Sequence, residues 1–162
     1  MLACALIASV VLAAPPEREA AEHDNAVVLA FGPSFEVDSN GSGHVGAEAE
    51  VEFDLVQKWL ELEVGIQGLA GAGSEELSAD ILLKKPFDVT HGFSFMPGIG
   101  PEVVVGHQSG RITQSFGLEI AVDFMWWVFS ERFGIGAEPA VGMTFAPFQA
   151  SVGLTIGPII GW

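Results

Sequence analysis

From Val27 to Trp162 the chain repeats with a period of two rather than 3.6, and this rhythm constrains its fold more than any other feature. Alternation places every second side chain on one face of an extended strand, so helices are excluded as the main element. The closing run Ala150–Trp162 shows it plainly. Val152, Leu154, Ile156, Pro158, Ile160 and Trp162 form one row. Ser151, Gly153, Thr155, Gly157 and Gly161 form the other, with Ile159 the exception. An apolar row that ends in an aromatic predicts the closing strand of a barrel whose outside meets lipid.

Seven earlier segments share the pattern. They run over 27–37, about 44–56, from Trp59 to the Gly71–Ser74 loop, 76–86, 93–105, 111–129 and 133–145. Turn residues separate them, as in D-S-N-G-S-G from Asp38 to Gly43. Eight strands of roughly eleven residues with short links account for this length of chain. The prediction is an all-β fold: an eight-stranded antiparallel up-and-down transmembrane β-barrel with short loops, one domain over 26–162. No apolar run reaches the roughly 18 residues of a spanning helix.

Ahead of the barrel, Met1–Ala14 is apolar and is followed by Pro15-Pro16. Its length suits a signal-peptide core, with small residues for cleavage after Ala13. It departs from that pattern in having no Lys or Arg at its front. Residues 15–25, P-P-E-R-E-A-A-E-H-D-N, read as a flexible acidic leader. Cys4 is the only cysteine and lies in the signal segment, so the mature chain is expected to have neither disulfide nor thiol chemistry.

Period two does not say which face is inside. A soluble lipocalin-like barrel has an apolar interior and a polar exterior, and that is the alternative. The inverse is favoured here. The non-apolar rows are rich in Gly, Ser and Thr and nearly free of Lys, which exposed strands normally carry. Aromatics cluster near strand ends, with Trp59, Trp126, Phe145 and Trp162 read as interface anchors. The formal net charge is −15 with only 6 Lys and Arg, so no basic footprint for nucleic acid exists.

On these residues the chain resembles the small eight-stranded outer-membrane β-barrel proteins of Gram-negative bacteria. The likeness rests on the alternating strands from Val27 to Trp162 and on the terminal L-T-I-G-P-I-I-G-W. Leu82–Phe87 (L-L-K-K-P-F) and Val122–Trp127 (V-D-F-M-W-W) are similar to uncharacterised members, which bring no activity. The resemblance implies location in the cell outer membrane, outer-membrane lipid as a partner, and a C-terminal strand read by the barrel-assembly machinery. It also implies both termini in the periplasm. Outer loops would lie near 38–43, 70–75, 106–110 and 146–149, and inner turns near 57–58, 87–91 and 130–131. A monomer without cofactors is expected.

The inward rows are acidic. They carry Glu36, Glu48, Glu50, Glu52, Asp54, Glu61, Glu63, Glu102, Glu119, Asp123 and Glu138. A two-residue turn at Gln57-Lys58 would pair Asp54 with Glu61 and Glu52 with Glu63. A turn at Ser130-Glu131 would pair Asp123 with Glu138 and set Trp127 over Gly134. Like charges directly opposite are unfavourable. The counter-charges are few: Lys84, within reach of Glu61, and Arg111. Two readings follow. One is a water-filled or proton-sharing polar core, the usual state of a narrow barrel plugged by its own side chains. The other is a cation path or cation site.

No catalytic residues are predicted. His107, Ser109 and Arg111 form the one outer-loop constellation worth weighing against lipid-acting barrels, and no third group orients them. No His or Cys pattern with metal spacing appears, and Gly71–Gly73 lacks the Lys and helix of a phosphate loop. The expected function is non-enzymatic: a structural or interaction role in the membrane, or minor cation permeation.

Overall fold

The computed structural model describes residues 26–71, 73–90, 92–130 and 132–162. The signal-peptide and leader expectations, 1–14 and 15–25, lie outside them. The described residues form nine strands: β1 Val27–Asp38, β2 Gly43–Val56, β3 Leu60–Gly71, β4 Ser74–Lys84, β5 Phe87–Thr90, β6 Phe93–Gln108, β7 Arg111–Ser130, β8 Phe133–Phe145 and β9 Phe148–Gly161. The order is β4-β3-β2-β1-β9-β8-β7-β6-β5, every pairing is antiparallel, and β4 also pairs with β6. That last pairing closes the sheet. Eight staves make the wall, because β5 continues the line of β4 along β6.

The turns follow local chemistry. Asp38 accepts N–H bonds from Asn40 at 2.8 Å and Ser42 at 2.9 Å, and Gly41 takes the left-handed conformation at φ 82°. Ser109 and Gly110 both have positive φ, 52° and 77°, and link the paired residues Gln108 and Arg111 in a two-residue hairpin. Positive φ at both central positions matches the right-handed strand twist.

Three expectations about the chain path need correction. Residues 87–90 are not a turn. The strand breaks at Lys85-Pro86 and resumes as β5, with Phe87 opposite Phe95. Proline has no N–H for the ladder and stops β4 there, but the Lys85 N–H still reaches the Pro97 carbonyl at 2.9 Å. The turn after β2 is also longer than two residues. Val56 pairs with Leu60, Lys58 adopts φ 58°, and Trp59 lies in the turn rather than in β3. Finally, the β7–β8 register shifts between Trp126 and Ser130. The expected register thus holds as far as Trp126 opposite Ile135 and slips beyond it, and a Cβ at Gly134 would meet the Trp126 carbonyl at 2.4 Å and the Ile159 side chain at 3.0 Å.

The faces sort as the alternation predicts. Outward residues such as Phe35, Val45, Ile66, Leu77, Phe116 and Val152 are exposed. Glu52, Glu63, Lys84 and Asp123 are buried in the lumen. The lipocalin-like alternative, with its apolar interior, is not the arrangement observed. An apolar wall around a polar interior is what a hydrocarbon solvent selects. Near the end that carries the termini, the wall bears stacked rings. Phe93 lies 5.0 Å from Trp126, Phe87 lies 5.0 Å from Phe95, and the Lys85 ammonium sits 5.2 Å over Trp59.

Candidate functional site: the acidic lumen

Strands β2, β3, β4, β6, β7 and β8 each send carboxylates inward, because each carries Asp or Glu on the row opposite its apolar row. Lys84, at the end of β4, reaches their centre and is fully buried at 0% exposure. Gly98 lies opposite it on β6, and a Cβ there would meet the Lys84 Cγ at 2.5 Å. Glycine at 98 therefore leaves the lane along which the lysine stem crosses the lumen. The ammonium donates to Glu63, to Asp123 at 2.5 Å and to Glu138 at 2.7 Å, and lies 3.7 Å from Glu52.

Toward the termini, the lumen is filled by an apolar cluster of Val28, Ala30, Met96, Met125 and Ile159, with Trp127 packed against it. Ile159, the exception in the closing strand, thus points inward and serves as packing. Toward the other end, a cavity of about 120 Å3 is lined by Glu36, Gln67, Glu76, Ser78, Glu102 and Thr113, among others. Between the two, Glu48 accepts from Thr155 and from Gln67 at 3.2 Å, and Gln67 also donates to Ser34 at 2.7 Å. Side chains of four neighbouring staves, β3, β2, β1 and β9, are thus linked inside the lumen.

Of the predicted lumen carboxylates, Glu48, Glu50, Glu52, Glu63, Glu102, Glu119, Asp123 and Glu138 are buried inside. Asp54 and Glu61 are half-buried neighbours across β2 and β3, and Glu52 faces Glu63 as expected. Lys84 does stand opposite Glu61 in register, but its ammonium goes to Glu63, Asp123 and Glu138 instead. Arg111 is a second correction. It is exposed at the β6–β7 hairpin, at the far end from the cluster, and does not serve as a lumen counter-charge. Trp59, Trp126, Phe145 and Trp162 are exposed on the wall or at strand ends.

Asp80 was missed as a site residue. It is 4% exposed, and its carboxylate packs over Gly65, where a Cβ would meet it at 2.6 Å. Its shared parity with Ser78 and Lys84 was the available signal. The inward Met96 and Met125 could have been found in the same way. His44 is buried at the start of β2, opposite Glu36. His107 has Glu75 3.8 Å away, with both side chains more than half exposed, which gives no oriented base for the hydroxyl of Ser109.

Several buried oxygens lack a hydrogen-bond partner: both of Glu52, Oε2 of Glu50, and Oδ1 of Asp80 and Asp123. Each such group costs roughly 1–3 kcal/mol if left unsatisfied. Two sets of carboxylates are close enough to hold a metal ion, Glu50, Glu52, Glu63 and Asp123 in one and Glu48, Glu50 and Glu138 in the other.

No protein-family model matches the chain, and no curated protein matches it by sequence. Solved structures do match. Neisserial surface protein A is similar at TM-score 0.70 and 10% identity, over 85% of this chain and 97% of that one. Ail, the attachment invasion locus protein of Yersinia pestis, is similar at TM-score 0.59 and 7% identity, over 84% and 96%. The N-terminal β-barrel domain of Pseudomonas aeruginosa OprF is similar at TM-score 0.55 and 14% identity, over 83% and 96%. With its apolar wall, polar lumen and closed eight-stave sheet, the chain has the fold of the small outer-membrane β-barrels.

Proposed function

We propose that the protein spans the bacterial outer membrane as a β-barrel with a closed lumen, and that its role there is structural rather than permeation or catalysis. Lipid is the partner that its wall requires, and the barrel-assembly machinery its partner in biogenesis. The termini face the periplasm in this reading, and the 120 Å3 cavity faces outward.

One observation carries the closed lumen: Lys84 and Leu82 are both at 0% exposure in the middle of the barrel, with Glu52 and Glu63 at 1% beside them. A path for hydrated cations would leave such side chains wet. The links at the cavity end are short turns, between Asp38 and Gly43, Gly71 and Ser74, Gln108 and Arg111, and Phe145 and Phe148. They offer little surface for adhesion.

Two measurements test this. Membrane fractionation with a boiled-versus-unboiled gel shift tests the location, and a chain recovered fully soluble without detergent would refute it. Planar-bilayer recording tests the closed lumen. Refolded protein is expected to give no steady steps, and cation-selective steps would return the reading to permeation.

A further inference from the structure

We propose that the cavity at the end of the lumen away from the termini is a binding site for the primary ammonium group of a small alkylamine, held by Glu36, Glu76 and Glu102. These three carboxylates line a space of about 120 Å3 and lie within Coulombic reach of one another. An eight-stranded lumen is just wide enough to be filled by its own side chains or to hold one small ligand. Around Lys84 it is filled. Here it is not, because β6, β7 and β8 supply small residues at this level, among them Gly106, Ser115 and Gly142.

Two observations beyond the acidity point to a ligand. The first is Glu102. It is 8% exposed, it lines the cavity, and no donor among the described residues bonds its carboxylate. Its Oε2 lies toward β7 and β8, where a Cβ on Gly117 would meet it at 3.3 Å and one on Gly142 at 3.5 Å. The second is where the lining donors go. Thr113 donates to the Gly106 carbonyl, Ser115 to the Ala146 carbonyl, Thr144 to the Pro147 carbonyl and Gln149 to Asp38. Gln67 donates to Ser34 and Glu48. These donors are already engaged, and none of them serves Glu102. No Lys, Arg or His is among the lining residues, and His44 stands opposite Glu36 in register but outside the lining. Unlike the cluster around Lys84, this one holds no ammonium of its own.

A space lined by acceptors calls for a donor, and three carboxylates match the three N–H groups of a primary ammonium. The lining is also apolar in part, through Leu69, Val104, Pro147 and Ala150. A bare metal ion would leave that part unused, whereas an alkyl stem packs on it. Size sets the length of the stem. A cavity of about 150 Å3 holds benzene with its six heavy atoms, so 120 Å3 takes roughly five. n-Butylammonium, four carbons and one nitrogen, has that size. The binding rests on the fold alone, and only the side from which the amine arrives rests on the orientation proposed above.

The test uses the full chain refolded in non-ionic detergent, with folding verified by gel shift. It is titrated with n-butylammonium by calorimetry, against micelles alone and at constant ionic strength. One saturable site per chain is expected. 1-Butanol keeps the shape without the charge, and tetramethylammonium keeps the charge without N–H donors. Each should bind at least about tenfold more weakly. Glu102→Gln should weaken n-butylammonium by at least about tenfold, as loss of one partner of a buried charge pair does. Asp88→Asn, which removes one charge at the opposite end of β6, should not. No saturable binding, equal binding of either control compound, or equal loss in the two variants would overturn the site. If Glu102→Gln does not fold, thiol protection decides. In a chain with Cys4 replaced by Ser, Ser115→Cys lies in the cavity lining. n-Butylammonium should slow its labelling by a small neutral reagent, and 1-butanol should not. Unchanged labelling, or equal slowing by both, would be the negative result.

Discussion

Lys84 shows how one residue can decide the state of a lumen. Its ammonium serves Glu63, Asp123 and Glu138 at once, from three different strands. Removing one member of a buried ionic group leaves the rest uncompensated and costs about 3–5 kcal/mol. Lys84→Met keeps the length of the stem and removes the charge. It should lower the stability of the folded barrel by that order, read as a lower urea midpoint in the gel-shift assay. An unchanged midpoint would mean that the carboxylates are compensated some other way. Gly98 belongs to the same device, because a larger residue there would block the lysine stem. Gly98→Val should cost about 1–3 kcal/mol, as overpacking does. The same urea titration reads it.

At the scale of strands, the wall makes a depth-dependent prediction. Ile120 lies mid-strand on β7, between Ile99 and Val141, and faces outward. Ile112 faces the same way but lies one residue from the β6–β7 hairpin. A lysine facing lipid costs about 2–4 kcal/mol at the bilayer centre and about 0–1 near its edges. In lipid vesicles, Ile120→Lys should therefore destabilise far more than Ile112→Lys. Equal effects would argue against a membrane around this wall.

Strands and faces were legible because alternation is local: each segment displays its own period. The pairings Glu52–Glu63 and Asp54–Glu61 followed from parity across one hairpin. Other features depended on information that no single hairpin carries. Residues 87–91 read as an inner turn after a strand that ends at Pro86, yet the chain pairs again with β6 and resumes as β5. The partners of Lys84 lie on β3, β7 and β8, and two of these strands do not pair with β4. Only closure of the barrel brings them together. The same limit hid the four-carboxylate cluster, since its members are scattered in sequence and show no ligand spacing.

For the whole molecule, the sequence of layers matters: an acidic cavity at one end, an ionic cluster in the middle, and an apolar floor toward the termini. A thiol probe can map it in a chain whose Cys4 is replaced by Ser. Ser115→Cys, lining the cavity, should react readily with a small charged reagent, whereas Ala30→Cys, in the apolar cluster, should not. Comparable labelling rates would show that water passes the floor.

The apolar floor of Met96, Met125 and Ile159 also changes what a useful experiment would measure. A vessel with one mouth has no throughput. In the proposed closed-lumen reading, whatever enters the carboxylate cavity leaves by the way it came, and the gradient across the membrane does not drive it through. The informative quantity for this protein is therefore a residence time, set by how fast a guest escapes the mouth, and not a current.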